Sequence, residues 1–258
     1  MNLIEIKSPA KLNLHLQVLN RRLDGFHNIS SLFTLIDITD GMSFKRTDKY
    51  IDLVESTPIK DNIVQKAAML LKENYGVSKG VTINLSKSIP DQKGLGGGSS
   101  NAASTLLCLN KLWDLDLTQL ELQSLALQLG SDVPFFIYGK TAWAEGRGEL
   151  LSNFQYKERF FILIFPDEKI NTKEAFNSFK IEDDVQLNKE NFHDDLSFNS
   201  FEKWARNKYS NINSLFKKFE SVGKPRLSGT GSTIFIEFDS EDQARLVLKR
   251  NPELVFVK

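Results

Sequence analysis

Residues 89–113 read IPDQKGLGGGSSNAASTLLCLNKLW, and the fold turns on how that stretch is read. Four glycines, Gly94, Gly96, Gly97 and Gly98, fall within five residues. Two serines follow, then a segment whose Ala102, Ala103, Leu106, Leu109 and Trp113 recur at helical spacing. Such a composition is commonly a flexible linker, but the flanks argue otherwise. The run joins a strand-like segment, GVTINLSKSIP, to a helix and is too short to separate domains. Glycine lets backbone N–H groups approach a ligand with no Cβ in the way. A helix N-terminus adds unpaired N–H groups and about half a unit of positive charge. A phosphate cradle is therefore expected, with Ser99 and Ser100 adding hydroxyl donors. It is not the dinucleotide pattern, because Ser99 stands where a third glycine belongs. Nor is it the Walker pattern, because no lysine precedes Ser99 or Ser100.

Upstream, residues 11–18 (KLNLHLQV) alternate strictly. Leu12, Leu14, Leu16 and Val18 share one face, and Lys11, Asn13, His15 and Gln17 the other, which predicts a strand with one buried face. Asp24-Gly25 predicts a turn, and residues 31–46 further strand. A helix is predicted from about Asn62 to near Gly76. Downstream, Thr118 and Glu121 form a capping-box pattern and Gly130 a stop. SDVPFFIYGKTAWAEGRGELL (131–151) reads as strand, turn, strand, with Pro134 pushing Val133 into an extended form. The polar stretch 152–158 marks a boundary between domains 1–152 and 153–258. Beyond it come a buried strand (RFFILIFP), helices near 172–180 and 199–221, an alternating strand at 232–238 and a helix opened by Ser240. The mixed order predicts an α+β architecture in two domains.

The 258 residues hold 33 Lys plus Arg against 33 Asp plus Glu. Zero net charge argues against nucleic acid as a partner, and no segment approaches membrane-spanning length. A single cysteine, no zinc spacing and no signal-peptide run make the cytoplasm the expected compartment. Cys108, among apolar residues, is read as core rather than nucleophile.

The loop PDQKGLGGGSS resembles the phosphate-loop signature of the GHMP kinases. SPAKLNL (8–14) resembles that family's first motif and LSGTGST (227–233) its third. DGFHNI (24–29) and GSDVPFF (130–136) are similar to the branch acting on 4-diphosphocytidyl-2-C-methyl-D-erythritol, in non-mevalonate isoprenoid biosynthesis. The resemblance spans residue 8 to about 238. It implies a two-domain GHMP architecture with the active site in the cleft between the domains. It also implies transfer of the γ-phosphoryl group of ATP, with Mg²⁺, to the 2-hydroxyl of that small cytidine diphosphate substrate.

By motif position, Lys11 and Asp132 match the catalytic lysine and general base. Read alone, Asp132 could be a turn aspartate and Lys11 part of a solvated strand face. The ATP site would comprise Pro90, Asp91, Gln92, Lys93, Gly94, Leu95, Gly96, Gly97, Gly98, Ser99 and Ser100. Asn62 would touch adenine or simply cap its helix. Asn13, Phe26, His27, Thr172 and Phe176 would bind the substrate, with the cytosine stacked between Phe26 and Phe176 and its edge read by His27. Asp91, Gln92 and Lys93 replace the small residues usual before GLGGG, and Phe26 replaces a tyrosine. Lys93 would balance phosphate charge or face solvent. The resemblance leaves the Mg²⁺ ligands unassigned. Another GHMP kinase is the alternative enzyme; a non-catalytic nucleotide- or sugar-binding protein of the same fold is disfavoured because Lys11 and Asp132 are both present.

Overall fold

The computed structural model describes residues 2–55, 61–178, 180–181 and 186–258. In chain order its elements begin β1 (Leu3–Arg21), β2 (His27–Thr47), β3 (Ile51–Glu55), α1 (Ile63–Asn74), β4 (Gly80–Ser86), α2 (Gly97–Leu112), α3 (Gln119–Leu129), α4 (Val133–Tyr138), β5 (Ala142–Glu145) and β6 (Leu150–Asn153). They continue β7 (Phe160–Ile164), α5 (Thr172–Ser178), α6 (Glu202–Lys208), α7 (Ser210–Phe219), β8 (Arg226–Leu227), β9 (Ile234–Phe238), α8 (Glu241–Arg250) and β10 (Val255–Val257). They form two compact units built from interleaved segments: residues 1–10, 38–90 and 96–140 in unit one, and 11–37, 91–95 and 141–258 in unit two. The long strands β1 and β2, which pair with each other, contribute to both.

In unit one, Gly41–Thr47 of β2 pairs antiparallel with β4, and β3 adds parallel to β4. Helix α1 packs on α2, and α4 on both α2 and α3. Fully buried Ala67, Ala68, Ala102 and Ala103 let the backbones of α1 and α2 approach closely. Local capping sets the helix ends. Asn62 caps α1 by accepting from Val64 N, Gly76 follows its end at φ +59°, and Thr118 and Glu121 form the expected capping box on α3. Cys108 is core, and burial pushes its thiol up to about 12.

In unit two, Ser31–Phe33 of β2 pairs with β5, and β5 with β6. A second, antiparallel sheet runs β10-β7-β9-β8, with α8 packed on β7. Its Ile162, Leu163, Ile234, Phe235 and Ile236 are buried without exposure. The Asp24-Gly25 turn is present, with Gly25 at φ +85°. The expected 172–180 helix is α5, and Phe179 lies outside the described residues.

Three expectations need correction. The strand read into 133–138 is helix α4: Val133 and Pro134 open it, where a missing N–H costs no hydrogen bond, and its apolar run is buried. The strand expected to reach Pro90 ends at Ser86, because the N–H groups of Ser88 and Ile89 donate to the Asp40 carboxylate instead of a ladder. The strand at 11–18 is buried on both faces. Lys11 (4% exposed), Asn13, His15 and Gln17 are as enclosed as the leucines, since other segments of unit two supply hydrogen bonds and rings to the polar face. Gln17 accepts from Leu187 N at 2.8 Å, and His15 packs among Trp143, Phe192 and Phe198.

Candidate active site

The glycine stretch is built as a strand-to-helix loop. Gly94 and Gly96 hold φ +75° and +69°, a left-handed conformation that disfavours a Cβ. Gly96 is the N-cap of α2 and supplies no side-chain cap. The first intrahelical bond of the turn is Ser100 N to Gly96 O at 2.9 Å, so helix geometry aims the N–H groups of Gly97, Gly98 and Ser99 out of the helix end. A Cβ on Gly97 would lie 2.9 Å from Ile89 Cγ2, and one on Gly94 would lie 2.3 Å from the Ser228 carbonyl oxygen. The chain closes this tightly only with glycine at those positions. Ser99 is half-buried. Ser100 is fully buried, and its hydroxyl lies 2.7 Å from that of Ser8, within unit one.

Unit two draws a second group of the expected residues together. The Lys11 ammonium donates to Asn13 Oδ1 and stands 5.4 Å from the Phe33 ring centroid. Lys11 N donates to the Leu95 carbonyl at 3.0 Å, and Asn13 Nδ2 to Ser31 Oγ at 3.0 Å. The third motif packs against both. The Ser228 hydroxyl accepts from Asn13 N at 3.3 Å and donates to Gly94 O at 3.1 Å, and a Cβ on Gly229 would stand 3.3 Å from Asn13 Oδ1. Thr172 joins this set through its hydroxyl, 3.2 Å from that of Thr230.

Asp132, in unit one, precedes α4 with φ −83° and ψ −15° and makes no capping hydrogen bond to it. The α3 stop at Gly130 and the start of α4 at Val133, the residue after Asp132, fix its backbone from both sides.

The remaining substrate candidates lie in unit two. Phe26 is 49% exposed at the β1–β2 turn, with the Arg147 guanidinium 4.4 Å from its ring centroid. His27 and Phe176 meet at 5.1 Å between centroids, and Phe176 also touches Phe201 edge-on. Burial, then Arg21, lowers the His27 pKa from its ordinary value, so its imidazole is neutral at pH 7.

Two expected nucleotide contacts have their side chains engaged elsewhere. Asn62 accepts from Val64 N, capping α1, and donates to Glu55 Oε2 at 2.6 Å. Lys93 does not face solvent: its ammonium donates to the carbonyls of Pro166 and Glu168. Sequence reasoning missed Asp40, fully buried beneath the start of the glycine loop. Its signal is present, for Asp40 falls in alternation with buried Met42 and Phe44. Among the described residues no group of three or more His, Cys, Asp or Glu could hold a metal ion. Among the same residues no helix is long and apolar enough to cross a membrane.

Residues 62–140 match the GHMP kinases N terminal domain and residues 181–255 the GHMP kinases C terminal domain. A 4-diphosphocytidyl-2-C-methyl-D-erythritol kinase of Paraburkholderia xenovorans is 39% identical over 95% of this chain and 89% of its own. The enzyme of the same name from Wigglesworthia glossinidia brevipalpis is 41% identical over 96% and 85%. A crystal structure of 4-(cytidine 5'-diphospho)-2C-methyl-D-erythritol kinase superposes with a TM-score of 0.83 at 29% identity, covering 98% of this chain and 99% of that one.

Proposed function

The chain belongs to the 4-diphosphocytidyl-2-C-methyl-D-erythritol kinases among the GHMP kinases, and from that premise we infer that it transfers the γ-phosphoryl group of ATP to the 2-hydroxyl of 4-diphosphocytidyl-2-C-methyl-D-erythritol. The observation that carries the reading is the uncapped α2 N-terminus behind the left-handed glycines, a cradle of backbone donors suited to nucleotide phosphates.

In this reading Asp132 accepts the proton of the attacking hydroxyl. Lys11 keeps charge and hydroxyl in place, its ammonium oriented by Asn13. Residues 1–152 supply the phosphate loop and the base; residues 153–258 supply Thr172, Phe176 and the third motif. The backbone of Pro90–Ser100 wraps the phosphates, and Lys93 is assigned no side-chain contact to them; Asn62 caps α1 at the adenine end of the site. Mg²⁺, bound with the nucleotide, would neutralise charge on the transferring phosphoryl group. Phe26 and Phe176 flank the cytosine, and neutral His27 can both donate to and accept from its edge.

The decisive experiment incubates the protein with Mg-ATP and 4-diphosphocytidyl-2-C-methyl-D-erythritol and follows ADP and a new phosphomonoester. Equal turnover of free methylerythritol phosphate would defeat the substrate assignment, and no ADP above background would defeat the kinase reading.

A further inference from the structure

The Asp40 carboxylate, fully buried, takes hydrogen bonds from both ends of the glycine loop. Oδ1 accepts from the backbone N–H groups of Ser88 (2.7 Å) and Ile89 (2.8 Å), which lead into the loop. Oδ2 accepts from Lys87 Nζ (2.6 Å) and from Asn101 Nδ2 (2.9 Å), and Asn101 stands on α2 just past the loop's exit. Asn101 closes the circuit by accepting from Lys87 Nζ at 3.2 Å and donating to Ser8 Oγ at 3.2 Å. Ser8 in turn bonds Ser100 and Ser104. All of these residues lie in unit one.

An apolar residue in line with Met42 and Phe44 would pack this position without the desolvation cost of a charge. It would leave the N–H groups of Ser88 and Ile89 without this acceptor, and the loop's entry no longer tied to α2. We propose that Asp40 is a positioning residue for phosphoryl transfer. It fixes the spacing between loop entry and the α2 N-terminus, so that the N–H groups of Gly97–Ser99 stand where the nucleotide phosphates bind. The inference rests on the kinase reading above.

The test compares wild type, Asp40→Asn and Asn101→Ala in equilibrium binding of Mg-ATP and of adenosine, in KM for each substrate, and in Tm. Both variants should bind Mg-ATP about 10-fold or more weakly, equivalent to about 1.4 kcal/mol. Adenosine affinity and the KM of the cytidyl substrate should stay at wild-type values, a split that general loosening would not produce. A folded variant with wild-type ATP affinity overturns the proposal, as does equal loss toward ATP, adenosine and the cytidyl substrate. Should Asp40→Asn not fold, Asn101→Ala decides, because it removes the tie to α2 together with the Asn101 bonds to Lys87 and Ser8 but keeps the Asp40–Lys87 pair and the Asp40 bonds to Ser88 and Ile89. A wild type that binds no Mg-ATP would instead defeat the kinase reading, a distinguishable result.

Discussion

The hydroxyl of Ser228 donates to the carbonyl of Gly94 at 3.1 Å, tying the third motif to the glycine loop across a gap too narrow for a methyl group. Gly94→Ala would force a Cβ to within 2.3 Å of the Ser228 carbonyl oxygen at φ +75°. It is expected to cost about 1–3 kcal/mol of stability, measured by denaturant unfolding. Ser228→Ala, which removes two hydrogen bonds, from Asn13 N and to Gly94 O, and clashes with nothing, should cost about 1–3 kcal/mol. Equal stabilities of Gly94→Ala and wild type would contradict the packing described.

Asp132→Asn should fold normally, bind ATP and lose at least about 100-fold in kcat, the low end of what a positioned base contributes. Lys11→Met should also cut kcat. The buried Lys11 shares its hydrogen bond with Asn13, so its Tm must be measured alongside. A fall in Tm with unchanged kcat would make the lysine structural.

Gly97→Val should weaken Mg-ATP binding by about 10-fold or more. The cause is contact rather than backbone strain, since the added carbon meets Ile89 at 2.9 Å. Isothermal titration with Mg-ATP reads this directly, and an unchanged dissociation constant would remove the loop from nucleotide binding.

Phe26→Ala should raise the KM of the cytidyl substrate about 5- to 150-fold, corresponding to a stacking contribution of roughly 1–3 kcal/mol. The KM of ATP should stay put. Arg147 lies over the Phe26 ring, so the base is expected on the remaining face. His27→Ala should erode discrimination against the uridine analogue of the substrate. Parallel losses toward ATP would mark these residues as supports of the fold.

His15 sets a pH dependence apart from the chemistry. Burial, its largest cause, lowers its pKa to about 4. The unfolded chain, near its ordinary 6.5, therefore binds the proton more readily than the folded one. Stability from neutral His15 is complete above about pH 6.5 and declines as pH falls toward 4. The total is about 3 kcal/mol at 1.36 kcal/mol per pH unit. His15→Phe should flatten the stability–pH profile over that window in denaturant titrations, whatever its constant cost in packing. An unchanged profile would refute the assignment.

What was legible in the sequence was what neighbours along the chain decide. Asn62, Thr118 with Glu121, Gly130 and Ser240 mark helix ends through contacts a few residues away, and each stands where expected. The glycine loop was legible for the same reason. Val133–Tyr138 misled because branched and aromatic residues suit strands, whereas burial against α2 and α3 decides for a helix. The polar face of β1 and the role of Asp40 depend on partners far along the chain. Ser88 and Asn101 lie 48 and 61 residues from Asp40, a separation no local pattern reports. Phe176, one of 19 phenylalanines, could be singled out only by the family's motif order.

The interleaving of the two units also has a consequence during synthesis. Every segment of unit one has been made once residue 140 leaves the ribosome, whereas unit two then owns only 11–37 and 91–95 and awaits 141–258. At roughly 5–20 residues per second, translation of the remainder takes on the order of ten seconds. Throughout that interval His15 lacks Trp143, Phe192 and Phe198, and Gln17 lacks Leu187. The nascent chain thus carries a β1–β2 hairpin whose later unit-two partners are not yet made. A chain arrested near residue 140 would therefore hold the polar face of β1 without the rings and the N–H that enclose it in the finished fold.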